Sequence, residues 1–391
     1  MRLHHVQALA LSLGSAALLA ATGCGGGTHG SSSYPLDDEL RLNQVQVLGS
    51  HNSYHIQPRE PLFSALAALV PPLARAWEYT HLPLGEQFET QGVRQIELDV
   101  FADPEGGLYD ERGGPKLLTG NGASNVPELR EPGFKVLHVQ DLDFESTCWT
   151  FVQCLEDVRA WSEAHPGHAP IAILVEAKDD PIDAPFESVV PILIEREELD
   201  ALDAEIRSVF TEDQMITPDD VRGDHATLEE AIREDGWPTL EVSRGKVLFA
   251  LDNENRVKDD YVEGHPSLRG RVLFVSARPG EPEAAFVKLN DPIGSFDLIQ
   301  QLVGEGFLIR TRADGDTEQA RTGDTTQRDA AIASGAQYVS SDYPVPNPAF
   351  GTGYFVEIPG GTPGRCNPIS APRDCTSHDV ESPDFLESLD G

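Results

Sequence analysis

Short apolar runs alternate with longer amphipathic segments along most of this 391-residue chain, and this alternation constrains the fold more than any other feature. The apolar runs predict eight strands, at residues 45–49, 95–100, 135–139, 171–175, 247–251, 272–275, 306–311 and 337–340. Apolar residues at spacings of three and four predict helices at 61–77, 149–164, 186–210, 227–235, 296–303 and 324–334. Strand–helix alternation favours a parallel sheet, and eight units favour a closed (β/α)8 TIM barrel over an open sheet.

The N-terminus has the pattern of an export signal. An apolar run at 8–21 follows Arg2 and ends shortly before Cys24, and it is too short to span a bilayer as a lasting helix. It resembles a bacterial lipoprotein signal, so we expect a signal peptide at 1–23, lipidation of Cys24 and a flexible Gly/Ser-rich tether at 24–38. An ordinary secretory signal is the alternative, and it would leave Cys24 free. We therefore expect an exported protein, anchored by lipid to a bacterial membrane or otherwise secreted.

The remaining four cysteines form an even set, which in an exported chain indicates disulfide bonds. Three pairings are possible, and proximity favours Cys148–Cys154 and Cys366–Cys375. A zinc site is disfavoured because no CxxC pair or nearby histidine completes a tetrahedral set. We expect a catalytic barrel at 39–345, followed at 346–391 by an irregular tail that a disulfide pins.

The chain is strongly acidic, with 65 Asp and Glu residues against 29 Lys and Arg residues and a formal charge of −36. Its surface as a whole would repel nucleic acid, and no basic tract offsets this charge. We therefore exclude a nucleic-acid partner, and we expect the protein to act as a monomer.

Polar groups that can transfer protons or bind a metal lie at or just past the ends of the first four predicted strands. They are His51, Asn52, Glu97, Asp99, His138 and Glu176. Barrel active sites lie at the carboxyl ends of the strands, so we expect these groups to converge. Glu97 and Asp99 face the same side of one strand, where two carboxylates are costly unless they share a cation or a proton. Oxygen ligands of this kind fit Ca2+ better than Zn2+, and with two imidazoles they predict metal-assisted phosphodiester cleavage. A solvated pair of acids is the alternative for Glu97 and Asp99.

The same residues resemble the catalytic core of phosphoinositide-specific phospholipase C, and several phrases resemble its bacterial calcium-dependent branch. These are LGSHNSYH at 48–55, YTHLPL at 79–84, QIELDV at 95–100, GFLIRTRAD at 306–314 and YVSSDYP at 338–344. The similarity covers most of residues 40–345 and implies a barrel of the PLC-like phosphodiesterase type. It assigns Asn52, Glu97, Asp99 and Glu176 to Ca2+.

In that family the inositol 2-hydroxyl attacks the adjacent phosphodiester, releasing diacylglycerol and an inositol cyclic phosphate that water can open. By analogy, His51 contacts the phosphoryl oxygen and His138 protonates the leaving group. Basic residues that would read ring phosphates are few, so phosphatidylinositol without them is the expected substrate. Lys178, Arg310 and Arg312 are the candidates for contact with its phosphate or ring hydroxyls.

Two other functions remain open at this point. Glycerophosphodiester phosphodiesterases and sphingomyelinase D-like enzymes share the barrel and an early histidine with Glu-x-Asp, but Asn52 beside His51, and His138, fit phospholipase C better. A surface lipoprotein that binds calcium or lipid headgroups without turnover is the non-enzymatic alternative.

Overall fold

The computed structural model describes residues 34–361 and 363–382. Its ten strands are β1 (Val45–Ser50), β2 (Gln95–Phe101), β3 (Lys135–Val136), β4 (Ile171–Ala177), β5 (Val247–Leu251), β6 (Leu273–Val275), β7 (Phe286–Lys288), β8 (Leu308–Arg312), β9 (Tyr338–Ser341) and β10 (Gly364–Cys366). Eight of them run parallel in the order β6-β5-β4-β2-β1-β9-β8-β7. A parallel bridge between Ser276 and Phe286 brings the two edges together, so the sheet is a nearly closed barrel. The predicted fold class is confirmed.

One of the eight predicted strands is a short strand outside the parallel barrel, and one barrel strand was missed. The prediction at 135–139 corresponds to β3, which has two residues and pairs antiparallel with β2 through Val100 and Val136. The barrel strand absent from the prediction is β7, a run of three residues. Apolar periodicity does not reveal a strand's partner or direction, and so short a run carries little periodic signal.

Helices fill most connections between the strands. They are α1 (Leu62–Leu69), α2 (Pro71–Ala76), α3 (Leu84–Thr90), α4 (Gly113–Thr119), α5 (Phe151–Ala164), α6 (Arg196–Val209), α7 (Pro218–Arg222), α8 (Leu228–Glu234), α9 (Leu240–Ser243), α10 (Arg256–Val262), α11 (Phe296–Gly304), α12 (Glu318–Thr322), α13 (Thr326–Ala333) and α14 (Ser377–Val380). Short 3-10 turns lie at Leu42–Gln44, Pro127–Arg130, Glu212–Gln214 and Pro266–Leu268.

The predicted helix boundaries hold best where a side chain caps the first turn. The hydroxyls of Thr150 and Thr227 accept hydrogen bonds from backbone N–H groups at the starts of α5 and α8. The helix predicted at 61–77 is instead two helices, α1 and α2. Pro71 is the first residue of α2 and disfavours helical backbone at Val70, so the chain breaks there. The helix predicted at 186–210 begins only at Arg196, after a box in which Glu195 and Glu198 cap each other's backbone.

Two apolar clusters organise the molecule. The larger lies between the barrel and its surrounding helices, and the strands β2 and β5 are buried along their whole length. The smaller, which we call the mouth cluster, joins α1 and α2 to the loop after β3. Its members include Leu62, Leu66, Trp77, Leu137 and Phe144. The mouth cluster packs α1, α2 and the loop after β3 together beside the carboxyl ends of the barrel strands, and we call this end of the barrel the mouth.

The segment after residue 345, expected to be an irregular tail, contains β10 and α14. β10 pairs antiparallel with β1, and Glu381 forms an ion pair with the buried Arg94 of the barrel wall. The structure contains both disulfide bonds, Cys148–Cys154 and Cys366–Cys375, and they are consistent with export.

The predicted signal peptide, Cys24 and most of the predicted tether lie outside the described residues. Within the part of the chain that the structure describes, none of the helices is both long enough and apolar enough to cross a membrane.

Candidate active site

The carboxyl ends of three adjacent barrel strands bring most of the predicted site residues together. His51 and Asn52 directly follow β1, and the pairing of β2 with β4 places Asp99 opposite Glu176. The backbone N–H of Ser53 donates to the carbonyl of Glu97 at 2.9 Å, which ties the turn after β1 to β2. Five of the six expected groups therefore share one end of the barrel because the parallel sheet aligns them.

The turn after β1 is locked by an unusual backbone conformation and by buried polar contacts. Asn52 has a positive φ of 44°, a conformation that asparagine adopts more readily than most residues. Its side-chain amide donates to the Tyr79 hydroxyl at 3.2 Å, while its Oδ1 is buried and accepts no hydrogen bond from the described residues. The Ser53 hydroxyl, 2.7 Å from that of Ser50, fixes the turn further. Asn52 therefore presents an unused oxygen ligand.

His51 is held by a carboxylate that follows the last barrel strand, which is a neighbour of β1 in the sheet. Its Nδ1 lies 2.7 Å from Oδ1 of Asp342, which directly follows β9 and also pairs with Arg312 at 3.3 Å. Burial and the charge of Arg312 lower the pKa of His51 to about 3, against the opposing effect of Asp342. Burial would raise the pKa of Asp342, but His51 and Arg312 hold it below its ordinary range. A neutral imidazole with its Nδ1 engaged leaves Nε2 to act, and this atom is 3.7 Å from Oε1 of Glu97.

His138 is positioned differently from the prediction. It does not end a barrel strand, because β3 is a short antiparallel strand, and it lies in the loop after β3. Its Nδ1 is 2.7 Å from Oδ2 of the fully buried Asp143, and the edge of Trp77 packs against its ring. Asp143 also bonds Nε2 of the buried His55 at 2.9 Å, and these contacts keep the pKa of Asp143 low although burial would raise it.

The carboxylates at the mouth form a cluster whose negative charge the neighbouring basic side chains only partly neutralise. One oxygen each of Glu97, Glu176 and Asp252 lies within 4.8 Å of the other two. Asp99 is fully buried; its Oδ1 accepts no hydrogen bond from the described residues, and its Oδ2 forms an ion pair with Lys178. Burial raises the pKa of Glu97 to about 7 although Arg310 opposes the rise. Burial also raises the pKa of Asp99 well above its ordinary value, with Lys178 opposing and Glu176 adding to the rise.

A hard divalent cation satisfies desolvated oxygens that are only partly neutralised in this way. The residues present therefore fit Ca2+.

The three basic residues expected to contact substrate each bind a carboxylate of the site. Lys178 Nζ lies 3.3 Å from Oδ2 of Asp99 and 3.2 Å from Oε2 of Glu176. Arg310 is 1% exposed and pairs with Glu97, while Arg312 pairs with Asp342. These contacts make all three part of the charge balance of the mouth.

Three aspartates of the site were not among the predicted residues. Asp252 directly follows β5 and Asp342 directly follows β9, so the strand-end rule that found Glu176 would also have found both had it been applied beyond the fourth strand. No comparable signal marks Asp143, because its position depends on the folding of the loop that carries His138.

The family model described as "Phosphoinositide phospholipase C, Ca2+-dependent" matches residues 40–368. The chain belongs to this family. Its members are phosphodiesterases, so the predicted enzyme class and the predicted use of calcium are confirmed. The match extends beyond the predicted end of the barrel at 345 and includes β10.

Solved structures with a TM-score of 0.50 share this fold at low sequence identity. The calcium-dependent phosphoinositol-specific phospholipase C from the Gram-negative bacterium Pseudomonas sp, in an apo form and in a myoinositol complex, is 18% identical, with a TM-score of 0.50 and coverage of 85% of this chain and 97% of that one. The Ca2+-dependent phosphatidylinositol-specific enzyme from Streptomyces antibioticus is also 18% identical, with a TM-score of 0.48 and coverage of 80% and 97%. No curated protein sequence matches the chain.

Proposed function

We propose that this protein is an exported phospholipase C that cleaves phosphatidylinositol through attack of the inositol 2-hydroxyl on the neighbouring phosphodiester. The products are diacylglycerol and an inositol cyclic phosphate that water can open. The observation that carries the proposal is the pair of imidazoles, His51 and His138, each with Nδ1 2.7 Å from an aspartate oxygen. His51 lies beside a carboxylate cluster that fits Ca2+, and His138 is connected to Asn52 through the rings of His55 and Tyr79, so we propose that proton transfer and charge neutralisation act together.

Asn52, Glu97, Asp99 and Glu176 hold the Ca2+ in this proposal. When bound, Ca2+ supplies positive charge to the phosphoryl oxygens and favours ionisation of the 2-hydroxyl. The Oδ1 atoms of Asn52 and Asp99, which have no partner among the described residues, support the assignment, because burial without a partner costs free energy that a ligand role removes. A carboxylate of the cluster accepts the proton of the attacking hydroxyl.

The two histidines have separate roles in the proposed reaction. His51, beside Glu97, uses Nε2 at the phosphoryl oxygen: once protonated, a form that Asp342 stabilises, it donates a hydrogen bond there as negative charge grows. His138 gives a proton to the departing glycerol oxygen. Asp342 and Asp143 fix the ring orientation and tautomer of the two imidazoles and stabilise each when it is protonated.

The basic residues differ in how they can meet the substrate. The side chains of Lys178 and Arg312 are 24% and 19% exposed, so each can turn part of its hydrogen-bonding capacity to the phosphate or to ring hydroxyls. Arg310 is held by Glu97, by Asn290 at 2.6 Å and by the Ser340 hydroxyl at 3.2 Å, so its part in substrate binding is the least direct. With so few free cations at the mouth, the preferred headgroup carries no ring phosphate.

The proposal includes a location for the enzyme. A lipid on Cys24 and a flexible tether would keep a monomeric barrel close to a bacterial membrane on its exported side. A protein with a formal charge of −36 is repelled by anionic bilayers over roughly 8 Å at physiological salt, so a lipid anchor would offset this repulsion.

A substrate panel tests the function. Phosphatidylinositol, glycerophosphocholine and sphingomyelin are offered separately with Ca2+ and with chelator. We expect cleavage of phosphatidylinositol alone, and only with Ca2+. Preference for a choline substrate would replace the proposal with the glycerophosphodiesterase or sphingomyelinase D alternative. Calcium binding without hydrolysis of any substrate would favour a non-catalytic surface lipoprotein.

A further inference from the structure

Asp252 lies where a ligand from the fifth barrel strand would reach the carboxylate cluster. It directly follows β5, and its backbone N–H donates to the carbonyl of Val175 on β4 at 2.8 Å. One of its oxygens is within 4.8 Å of oxygens of both Glu97 and Glu176. Two oxygens that bind one Ca2+ at about 2.3–2.6 Å can be no more than about 5 Å apart. The three carboxylates already satisfy that limit.

The environment of Asp252 leaves one of its oxygens unused. The residue is 6% exposed, and its Oδ1 accepts no hydrogen bond from the described residues. Its Oδ2 accepts from Lys288 Nζ at 2.6 Å, and the same ammonium donates to the Asp252 carbonyl at 2.6 Å. A buried carboxylate oxygen without a partner costs free energy, and a bound cation would complete its contacts.

The balance of charge at the mouth also favours binding of a cation beside Asp252. Four carboxylates, those of Glu97, Asp99, Glu176 and Asp252, face three basic side chains, those of Lys178, Lys288 and Arg310. Counted at formal charges, the cluster carries one excess negative charge, and a divalent cation would convert it to one excess positive charge. That sign complements a phosphodiester monoanion. Without Asp252 the metal-free cluster would be neutral and would attract a cation less.

We propose that Asp252 is a direct ligand of the Ca2+, beyond the four residues assigned above, and that Lys288 holds it in place. The proposal rests on the calcium site of the proposed function and adds a ligand to it. It predicts that Asp252 sets calcium affinity even in the absence of substrate.

Calcium titration of the full chain by isothermal calorimetry, without lipid, tests this role. Lys288→Met is compared with the double variant Asp252→Leu/Lys288→Met, so the two differ only at Asp252 and no ammonium is left unpaired. Glu254→Gln, an exposed acid two residues away, controls for a general loss of negative charge. Thermal unfolding confirms that each variant is folded.

We expect the double variant to bind Ca2+ at least ~10-fold more weakly than Lys288→Met, the lower end of what loss of a partner around a metal site costs. Glu254→Gln should match the wild type. If Lys288→Met does not fold, the double variant is compared with the wild type under the same criterion. Equal calcium dissociation constants for the double variant and the protein with which it is compared would overturn the proposal. Absence of calcium binding by the wild type would also overturn it.

The two proposals fail in different ways. Calcium binding that depends on Asp252, without cleavage of phosphatidylinositol by the wild type, would leave this inference intact and remove the proposed function. Cleavage that persists with unchanged calcium affinity in the double variant would do the reverse.

Discussion

The two histidine–aspartate pairs at the mouth have nearly the same geometry but are built in different ways. His51 and Asp342 follow β1 and β9, neighbouring parallel strands in which Ser50 pairs with Ser341, so the barrel itself sets their distance. His138 and Asp143 lie in one loop outside the barrel, and the mouth cluster and the Cys148–Cys154 disulfide hold that loop. The sheet therefore sets the geometry of the His51–Asp342 pair, whereas local packing sets that of the His138–Asp143 pair. The proposed leaving-group acid should therefore be the more fragile of the two.

The largest effect should come from removing either imidazole. His51→Ala and His138→Ala should each lower kcat for phosphatidylinositol cleavage by roughly 10²–10⁴-fold, because a positioned proton donor or acceptor contributes about this much. Steady-state kinetics with saturating Ca2+ measures the loss, and an unchanged melting temperature shows that the fold survives. Wild-type activity in either variant would remove that histidine from the mechanism.

Removing the supporting carboxylates should separate the two pairs. Asp342→Asn and Asp143→Asn should each lower kcat by at least ~10-fold, because the imidazole loses its fixed tautomer and the stabilisation of its protonated form. Asp143→Asn should also destabilise the protein by about 1–3 kcal/mol, since the buried His55 loses its bond to the same carboxylate. Denaturant unfolding gives the stability difference. Equal kcat values for the wild type and Asp342→Asn would show that Asp342 does not position the His51 imidazole for the reaction.

The disulfides offer a matched comparison between a bond beside His138 and one far from it in sequence. Cys148→Ser/Cys154→Ser and Cys366→Ser/Cys375→Ser should each lower the free energy of unfolding by about 2 kcal/mol, as expected for short closed loops. Only the first should also lower kcat, by a few fold, because its loop carries the proposed acid. A similar fall in kcat for both double variants would mean that the loop needs no local support.

The smallest effect concerns acid stability of the loop pair. The pKa of Asp143 is lower in the folded protein than its unfolded value of about 3.9, so its contribution to stability is complete above that pH and is lost as the pH falls through and below it. The difference in unfolding free energy between wild type and Asp143→Asn should therefore shrink below about pH 4. Urea unfolding at several pH values measures it, and a difference that grows on acidification would contradict the assigned ionisation.

The sequence predicted the features that depend on periodicity and on strand ends. Seven of the eight predicted strands are barrel strands, and the groups His51, Asn52, Glu97, Asp99 and Glu176 share one mouth because parallel strands align their carboxyl ends. Periodicity could not show that β3 turns back on β2 or that β7 closes the barrel. The partnership of Asp143 with His55 and His138 depends on a loop conformation that tertiary packing decides, so no local pattern in the sequence indicated it.

The central claim is calcium-assisted attack of the inositol 2-hydroxyl at this mouth. A 31P NMR time course of phosphatidylinositol vesicles with the purified full chain tracks substrate, cyclic phosphate and open phosphate in one experiment. We predict that a cyclic inositol phosphate forms first when Ca2+ is present and that excess chelator stops its formation. Unchanged cleavage in chelator, or an open phosphate with no cyclic precursor, would contradict the account.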